Sequence, residues 1–135
     1  MLIPDVLCRV AVILTVAMML ALYPRLASTA ENQSDSAVTQ EARSQASDVF
    51  ENRCSACHGM EGRGDGPAAA NLKPKPADFH SPKWQKSITD DRIARAIVHG
   101  GGSVGVSNQM APNPDLENQP AVVAALVEQI RKWGK

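Results

Sequence analysis

Apolar side chains recur at intervals of three and four residues in three separate parts of this 135-residue chain. The first stripe consists of Ala42, Ala46, Val49, Phe50, Cys54 and Cys57. The second consists of Ile93, Ala96 and Ile97, and the third of Val123, Leu126, Val127, Ile130 and Trp133. This spacing places the apolar residues of each segment on one face of a helix. No stretch alternates convincingly between apolar and polar residues, so the pattern predicts an all-α fold with three main helices.

The second and third segments begin and end at residues that favour helix ends. Thr89 is suited to cap the second helix, and the acidic residues 90–91 fall in its first turn, where the helix dipole favours negative charge. The glycines Gly100–Gly102 are expected to end that helix. Pro120 occupies a preferred first position for the third helix, and Gly134 follows its last apolar residue.

The N-terminal part of the chain has a different character. Val10–Tyr23 is an apolar run of 14 residues with one interruption, preceded by Arg9 and followed by the small residues 27–30. This layout predicts a secretory signal peptide over residues 1–30, with cleavage after Ala30. An uncleaved membrane anchor is the alternative, although the run is shorter than the roughly 20 residues that a spanning helix needs.

Removal of the leader changes the composition of what remains. Residues 31–40 are polar and without periodicity, so they are predicted to be a flexible lead-in to a folded domain over residues 41–135. Residues 31–135 contain 12 basic and 13 acidic residues, so they lack the basic excess of nucleic-acid-binding proteins.

The only aromatic residues in residues 31–135 are Phe50, Phe79, Trp84 and Trp133. Because large rings usually supply much of a small core, a bound group is expected to fill the interior.

The strongest chemical signal in the chain is Cys54-Ser55-Ala56-Cys57-His58. Cys-x-x-Cys-His is the attachment motif of c-type haem. Two thiols about one helical turn apart can add to the two vinyl groups of one porphyrin, and the adjacent histidine then binds the iron. The motif therefore predicts one covalently attached haem c, held by Cys54 and Cys57, with His58 as a ligand of its iron.

Other interpretations of a cysteine pair predict a colourless protein. A thioredoxin-like dithiol is typical of alternating strands and helices, which this sequence lacks. A zinc site needs two further ligands, and His80 and His99 stand alone rather than at the paired spacing of zinc modules. A disulfide that closes so short a loop would add little stability. We therefore favour haem, and without it the chain is predicted not to fold stably.

From about residue 42 to its end, the chain resembles the class I monohaem cytochromes c. The resemblance rests on Phe50 four residues before Cys54, the CSACH motif, the glycine-rich segment 59–64, Gly66-Pro67, Met110 in a late loop and a C-terminal helix. It implies a small all-α fold of helices and loops around one haem. It also implies that Phe50 meets the C-terminal helix, here through Leu126 or Ile130.

The resemblance further implies that a methionine far downstream of the histidine is the second iron ligand. Residues 31–135 contain two methionines, Met60 and Met110. Met60 is only two residues from His58, too near to reach the opposite side of the ring. Met110 follows His58 by 52 residues, within the Gly- and Pro-rich segment 100–119, and is the predicted ligand.

Several other residues have roles in this interpretation. His80 and His99 are competitors of Met110 for the iron, since histidine is a common ligand of that metal. The resemblance implies that the carbonyl of Pro67 orients the iron-bound histidine. It also implies that Trp84, or an amide near it, holds a haem propionate, with ordinary packing as the alternative role of Trp84.

With two protein ligands on the iron, the resemblance implies a one-electron carrier and not an enzyme. Its expected partners are an electron donor and an electron acceptor among exported, for example periplasmic, redox proteins. The alternatives are a membrane-anchored or subunit cytochrome of a larger oxidoreductase, and a haem enzyme with an open iron position. Four lysines lie within a fourteen-residue stretch, at Lys73, Lys75, Lys83 and Lys86. They form either a docking surface for an acidic partner or an ordinary solvated loop.

Overall fold

The computed structural model describes residues 38–135, so the predicted leader, residues 1–30, and residues 31–37 lie outside the described part. The α-helices are α1 (Gln40–Val49), α2 (Ser55–His58), α3 (Pro82–Ser87), α4 (Asp90–His99) and α5 (Pro120–Trp133). A π-helical turn spans Phe50–Cys54, and 3₁₀ turns span Ala69–Asn71, Gly101–Val104 and Pro114–Asn118. The described residues form no strand, which confirms the all-α prediction. None of these helices is long and apolar enough to cross a membrane.

The first predicted helix is one continuous helical run of α1, the π-turn and α2. The spacing of its backbone hydrogen bonds widens at the π-turn in the middle. The run begins where the Thr39 hydroxyl accepts a hydrogen bond of 3.0 Å from the Ala42 backbone N–H. At the π-turn the Ser55 N–H donates to the Phe50 carbonyl, five residues back instead of four. Such single π-turns within α-helices often occur at functional sites. The apolar spacing predicted the helical run, but not this wider turn before the second cysteine.

The end signals of the second and third predicted helices are confirmed. Thr89 caps α4, because its hydroxyl accepts from the Arg92 N–H at 3.3 Å. The helix ends at Gly100, which has φ 80° and ψ 164°, a conformation that is nearly restricted to glycine. α5 begins at Pro120. The short helix α3 was not predicted, although Ser81 caps it in the same way that Thr89 caps α4.

Helices α1, α4 and α5 enclose the apolar core. Leu116 and Leu126 are its largest fully buried side chains, each with 1% of its surface exposed. Complete burial of a leucine side chain contributes about 1.5–3 kcal/mol. The Phe50 ring packs against Trp133 of α5, with ring centroids 4.9 Å apart. Phe50 thus meets the C-terminal helix as expected, and the ring contact is made by Trp133.

A polar network attaches the segment around α3 to α5. Arg131 of α5 donates to the Gln85 carbonyl at 2.9 Å and to the Asp90 carboxylate at 2.7 Å. The Gln85 side-chain amide donates to the carbonyl oxygens of Phe79, at 2.7 Å, and Ile130, at 2.9 Å. These bonds fix the backbone of Phe79 relative to the C-terminal helix.

Candidate functional site

A cavity of about 320 Å³ lies between the end of the first helical run and the loops that follow α2 and α4. Its volume is within the usual range for small-molecule and cofactor sites. Cys54, Cys57, His58 and Met110 all line it. The fold therefore brings together the four residues that the sequence analysis singled out, although Met110 is distant from the other three along the chain.

The two cysteines are half-buried and form no disulfide. Cys54 ends the π-turn and Cys57 lies in α2, so both project from the same helical run. Before haem is attached, burial raises the pKa of the Cys54 thiol to about 11, and the positive charge of Arg53 opposes this only in part.

His58, at the end of α2, is held in one protonation state. Its Nδ1 lies 3.3 Å from the carbonyl oxygen of Ala77. A carbonyl can only accept, so Nδ1 carries the proton and Nε2 keeps its lone pair. Burial lowers the pKa of the imidazole, and the hydrogen bond to Ala77 opposes that shift. The result is a neutral imidazole, the form that binds metals.

An aromatic side chain lies against the same imidazole. The His58 and Phe79 rings are stacked, with centroids 4.7 Å apart and planes 16° from parallel. Phe79 is 5% exposed and belongs to the apolar core. The imidazole is thus held by the hydrogen bond that it donates to the Ala77 carbonyl and by the face of a buried ring.

Met110 occupies a loop that is held mainly through its backbone. The Met110 carbonyl accepts a hydrogen bond of 3.0 Å from the Gly101 N–H. A Cβ atom at Gly100 would lie 2.9 Å from this carbonyl, so the approach of the two segments depends on the absence of a side chain there. Beyond Met110, the Asn113 N–H donates to the Val98 carbonyl of α4 at 2.9 Å. The Met110 side chain itself is half-buried.

Two polar links join the edges of the cavity. The Gln109 side-chain oxygen accepts from the Lys73 N–H at 3.2 Å and so connects the loops on either side. Arg53 donates to both oxygens of Asp115, at 2.8 and 3.0 Å, and connects the helical run to the segment after the methionine loop. This hydrogen bonding holds the pKa of the Asp115 carboxyl below its usual range.

The competing histidines are not among the residues that line this cavity. His80 Nε2 lies 2.7 Å from the Glu61 carbonyl oxygen, and its ring centroid is 6.4 Å from that of Trp133. His99 lines a separate groove of about 730 Å³ between α4 and α5. Within residues 38–135, no three His, Cys, Asp or Glu side chains cluster so as to hold a metal ion.

The family model for cytochrome c matches residues 44–132, which is more than half of the chain. The chain belongs to the cytochrome c family. Comparison with curated proteins gives no match. As a class I monohaem cytochrome c, the protein carries covalently attached haem c and transfers electrons.

The cavity of this cytochrome has the chemistry that haem c requires. It offers two thiols about one turn apart, a neutral imidazole with a free nitrogen lone pair, and a thioether. The apolar part of its lining includes Leu72, Pro74 and Pro76, which suit a porphyrin face. The residues present therefore fit the cofactor that the family implies.

The expectation that the Pro67 carbonyl orients the histidine is wrong for this cytochrome. The segment after Pro67 lies against α2, where the Ala68 N–H donates to the Ala56 carbonyl at 2.9 Å. The carbonyl at His58 Nδ1 belongs instead to Ala77, ten residues further along the chain. Sequence alone does not show which of the two proline-containing segments, the one at Pro67 or the one before Ala77, lies beside the imidazole.

Trp84 and the four lysines do not line the cavity. The Trp84 ring packs against Phe79 with centroids 5.0 Å apart, which fits a packing role. Lys75 donates from Nζ to the Ala69 carbonyl at 2.8 Å, so its ammonium group is tied to a turn. Lys83 and Lys86 are exposed on α3, whereas Lys73 and Lys75 are in the preceding loop.

The sequence did not indicate Ala77, Phe79 or Gln109 as site residues. Ala77 acts through its backbone carbonyl, which every residue type has. Phe79 is an isolated aromatic residue outside the three periodic segments, so no apolar stripe points to it. Gln109 is next to Met110, and its link to Lys73 spans 36 residues.

Proposed function

We propose that Cys54 and Cys57 hold the haem, that His58 and Met110 are the two ligands of its iron, and that the protein carries single electrons between exported redox proteins. The observation that supports this most strongly is the presence of all four side chains in the lining of one cavity. Two protein ligands would leave no open position for oxygen or peroxide, which suits a carrier and not an oxygen-activating enzyme.

Bound haem c supplies a one-electron couple between ferric and ferrous iron. The protein side chains bind the iron, affect the reduction potential of that couple and exclude water. His58 presents Nε2 because the Ala77 carbonyl fixes the proton on Nδ1. A methionine ligand favours the ferrous form and raises the reduction potential relative to a second histidine. Leu72 and Pro76 add apolar surface that excludes water from the cavity.

The ligand assignment can be tested with the two methionines of the predicted mature chain. In oxidised Met110→Ala, the methionine–iron charge-transfer band should disappear and the reduction potential should fall. Met60→Ala is the matched control, because the Met60 side chain is 61% exposed and does not line the cavity. Retention of the band in Met110→Ala would refute the assignment of Met110.

The histidine assignment needs a separate measurement. His58→Ala should lose the low-spin spectrum, while His80→Ala should retain it, since His80 bonds to Glu61 outside the cavity lining. A low-spin spectrum in His58→Ala that disappears only on further replacement of His80 or His99 would assign the ligand elsewhere.

We also propose that the protein is exported and that residues 1–30 are removed. The support is the leader pattern in the sequence and the requirement of cytochromes c for covalent haem attachment. Mass spectrometry of the red protein purified from cells should give an N-terminus at Glu31 in the soluble fraction. An intact leader in the membrane fraction would favour an anchored module, and copurification with an oxidoreductase would favour a subunit.

A further inference from the structure

The geometry points to Phe79 as a positioning residue that sets the orientation of the His58 imidazole plane at the iron. This inference rests on the proposed ligation by His58. It assigns a role to a side chain that the motif does not include and that does not line the cavity.

The contact between the two rings is close and nearly parallel. Their centroids are 4.7 Å apart and their planes differ by 16°. Aromatic pairs at such distances favour defined relative orientations. A rotation of the imidazole about its bond to a metal would bring its edge against the Phe79 face, so the stack resists that rotation.

The hydrogen bond of His58 is by itself a weak constraint on this rotation. The distance from Nδ1 to the Ala77 oxygen is 3.3 Å, longer than the usual 2.7–3.2 Å for an N–H···O bond. It determines which nitrogen carries the proton. The ring plane then depends largely on the surface against which the imidazole lies.

Phe79 is itself fixed on several sides. Its N–H donates to the Gly62 carbonyl at 2.8 Å, and its carbonyl accepts from the Gln85 amide at 2.7 Å. The rings of Phe79 and Trp133 are also nearly parallel, 11° apart in plane with centroids at 5.8 Å. His58, Phe79 and Trp133 therefore form a series of three nearly parallel rings that is anchored in α5.

The orientation of an axial imidazole plane has a spectroscopic signature. In low-spin ferric haem it acts together with the orientation of the second ligand to determine which iron d orbital holds the unpaired electron, and therefore how spin density is shared among the four haem methyl groups. The proton NMR shifts of those methyl groups report this distribution independently of electron-transfer activity.

The test compares two buried phenylalanines in the oxidised holoprotein. Phe79→Leu removes the ring that stacks on His58. Phe50→Leu is the matched control, because Phe50 is 3% exposed and packs on Phe79 and Trp133, but not on His58. We expect Phe79→Leu to change the order or spread of the four methyl shifts, and Phe50→Leu to preserve their order while losing comparable stability.

Two further variants separate positioning from folding. Phe79→Tyr keeps the stacking ring and should keep the wild-type methyl pattern, even though burial of its hydroxyl costs stability. Phe79→Met fills similar space without an aromatic face and replaces Phe79→Leu if that variant does not fold. Its methyl pattern should change as well.

Unchanged methyl shifts in Phe79→Leu or Phe79→Met, or equal changes in Phe50→Leu, would overturn the inference. A failure of the proposed ligation looks different. In that case the wild-type protein itself would lack the low-spin pattern of a histidine-ligated haem, before any substitution at Phe79 is considered.

Discussion

The histidine side and the methionine side of the cavity are built in different ways. On the histidine side, the His58 ring lies on Phe79, whose side chain belongs to the apolar core and whose backbone is tied to Gly62 and Gln85. On the methionine side, Met110 is half-buried in a loop that backbone bonds tie to the end of α4. The first side derives its order from packed rings, and the second from a few hydrogen bonds.

This difference indicates which side of the cavity opens first. Regions with many buried apolar contacts open only with large parts of the fold, whereas loops with few such contacts open locally. We therefore expect displacement of the Met110 loop to require much less free energy than displacement of His58. The proposed covalent attachment at Cys54 and Cys57 would keep the haem in place during such local opening.

The largest expected effect comes from removing that attachment. Replacement of both Cys54 and Cys57 with alanine should abolish covalent haem, and the chain should then lose its cooperative thermal transition because the group between the two sides is missing. Mass spectrometry and circular dichroism of the purified chain measure the two effects. Ser55→Ala, between the cysteines, should retain both haem and transition. A cooperative transition in the haem-free double variant would contradict the prediction.

Crowding of the histidine side should give the next largest effect. Gly62 has φ 72°, and a Cβ atom there would lie 2.7 Å from Phe79 and 2.8 Å from Trp133. Gly62→Ala should therefore lower the free energy of unfolding by about 2–4 kcal/mol, as the sum of backbone strain and overpacking. Denaturant titration of the oxidised holoprotein measures this loss.

Gly105→Ala separates the two contributions. Gly105 has a similar φ of 70°, but a Cβ atom there has no neighbour within 4 Å. Its loss should be limited to the strain, about 1–2 kcal/mol. Equal losses in the two variants would show that the rings beside Gly62 are not tightly packed.

A smaller effect is expected from loosening the methionine side. Gln109→Ala removes the 3.2 Å bond to the Lys73 N–H that joins the two loops. A hydrogen bond of this kind contributes about 0.5–1.5 kcal/mol, so displacement of Met110 by added imidazole should become about 2- to 10-fold more favourable. The measurement is the loss of the methionine–iron band with imidazole concentration.

The control for this experiment is another glutamine in a local hydrogen bond. Gln119 donates to the Asp115 carbonyl at 3.1 Å, and Gln119→Ala should leave imidazole binding unchanged. The same increase in imidazole affinity in both variants would mean that the link between Gln109 and Lys73 does not restrain Met110.

The smallest effect should come from the exposed ion pair of Arg53 and Asp115, and it should depend on pH. Hydrogen bonding from Arg53 lowers the pKa of the folded-state Asp115 carboxyl below its usual value of 3.8. The pair therefore stabilises the fold fully above that value, and its contribution is lost as pH falls through the lower folded-state pKa.

Denaturation of Asp115→Asn at several pH values tests this sign. The variant should be slightly less stable than wild type at pH 7, and the difference should shrink as the solution becomes more acidic than the usual carboxyl pKa. A difference that grows on acidification would contradict the sign.

The sequence was most informative about structure that depends on the spacing of residues close together in the chain. Helical periodicity and cap residues such as Thr89 and Pro120 predicted the long helices, because these signals act within a few residues. The sequence did not predict helix α3, because its six residues are too few to form an apolar stripe, even though a serine caps it. The π-turn at Phe50–Cys54 also left no periodic signature.

By itself, the sequence determined the haem motif at Cys54–His58 and the all-α class, since each follows from residue type or short-range spacing. The resemblance to class I cytochromes c added Met110 as a candidate ligand. Only the tertiary structure decided that the Ala77 carbonyl, and not that of Pro67, lies at the imidazole, and that Phe79 stacks on His58. These contacts depend on the path of a loop of about twenty residues. Every residue type has the same backbone carbonyl, so the sequence cannot indicate which carbonyl reaches the imidazole. The packing partner of a single aromatic residue is decided only when the helices around it pack together.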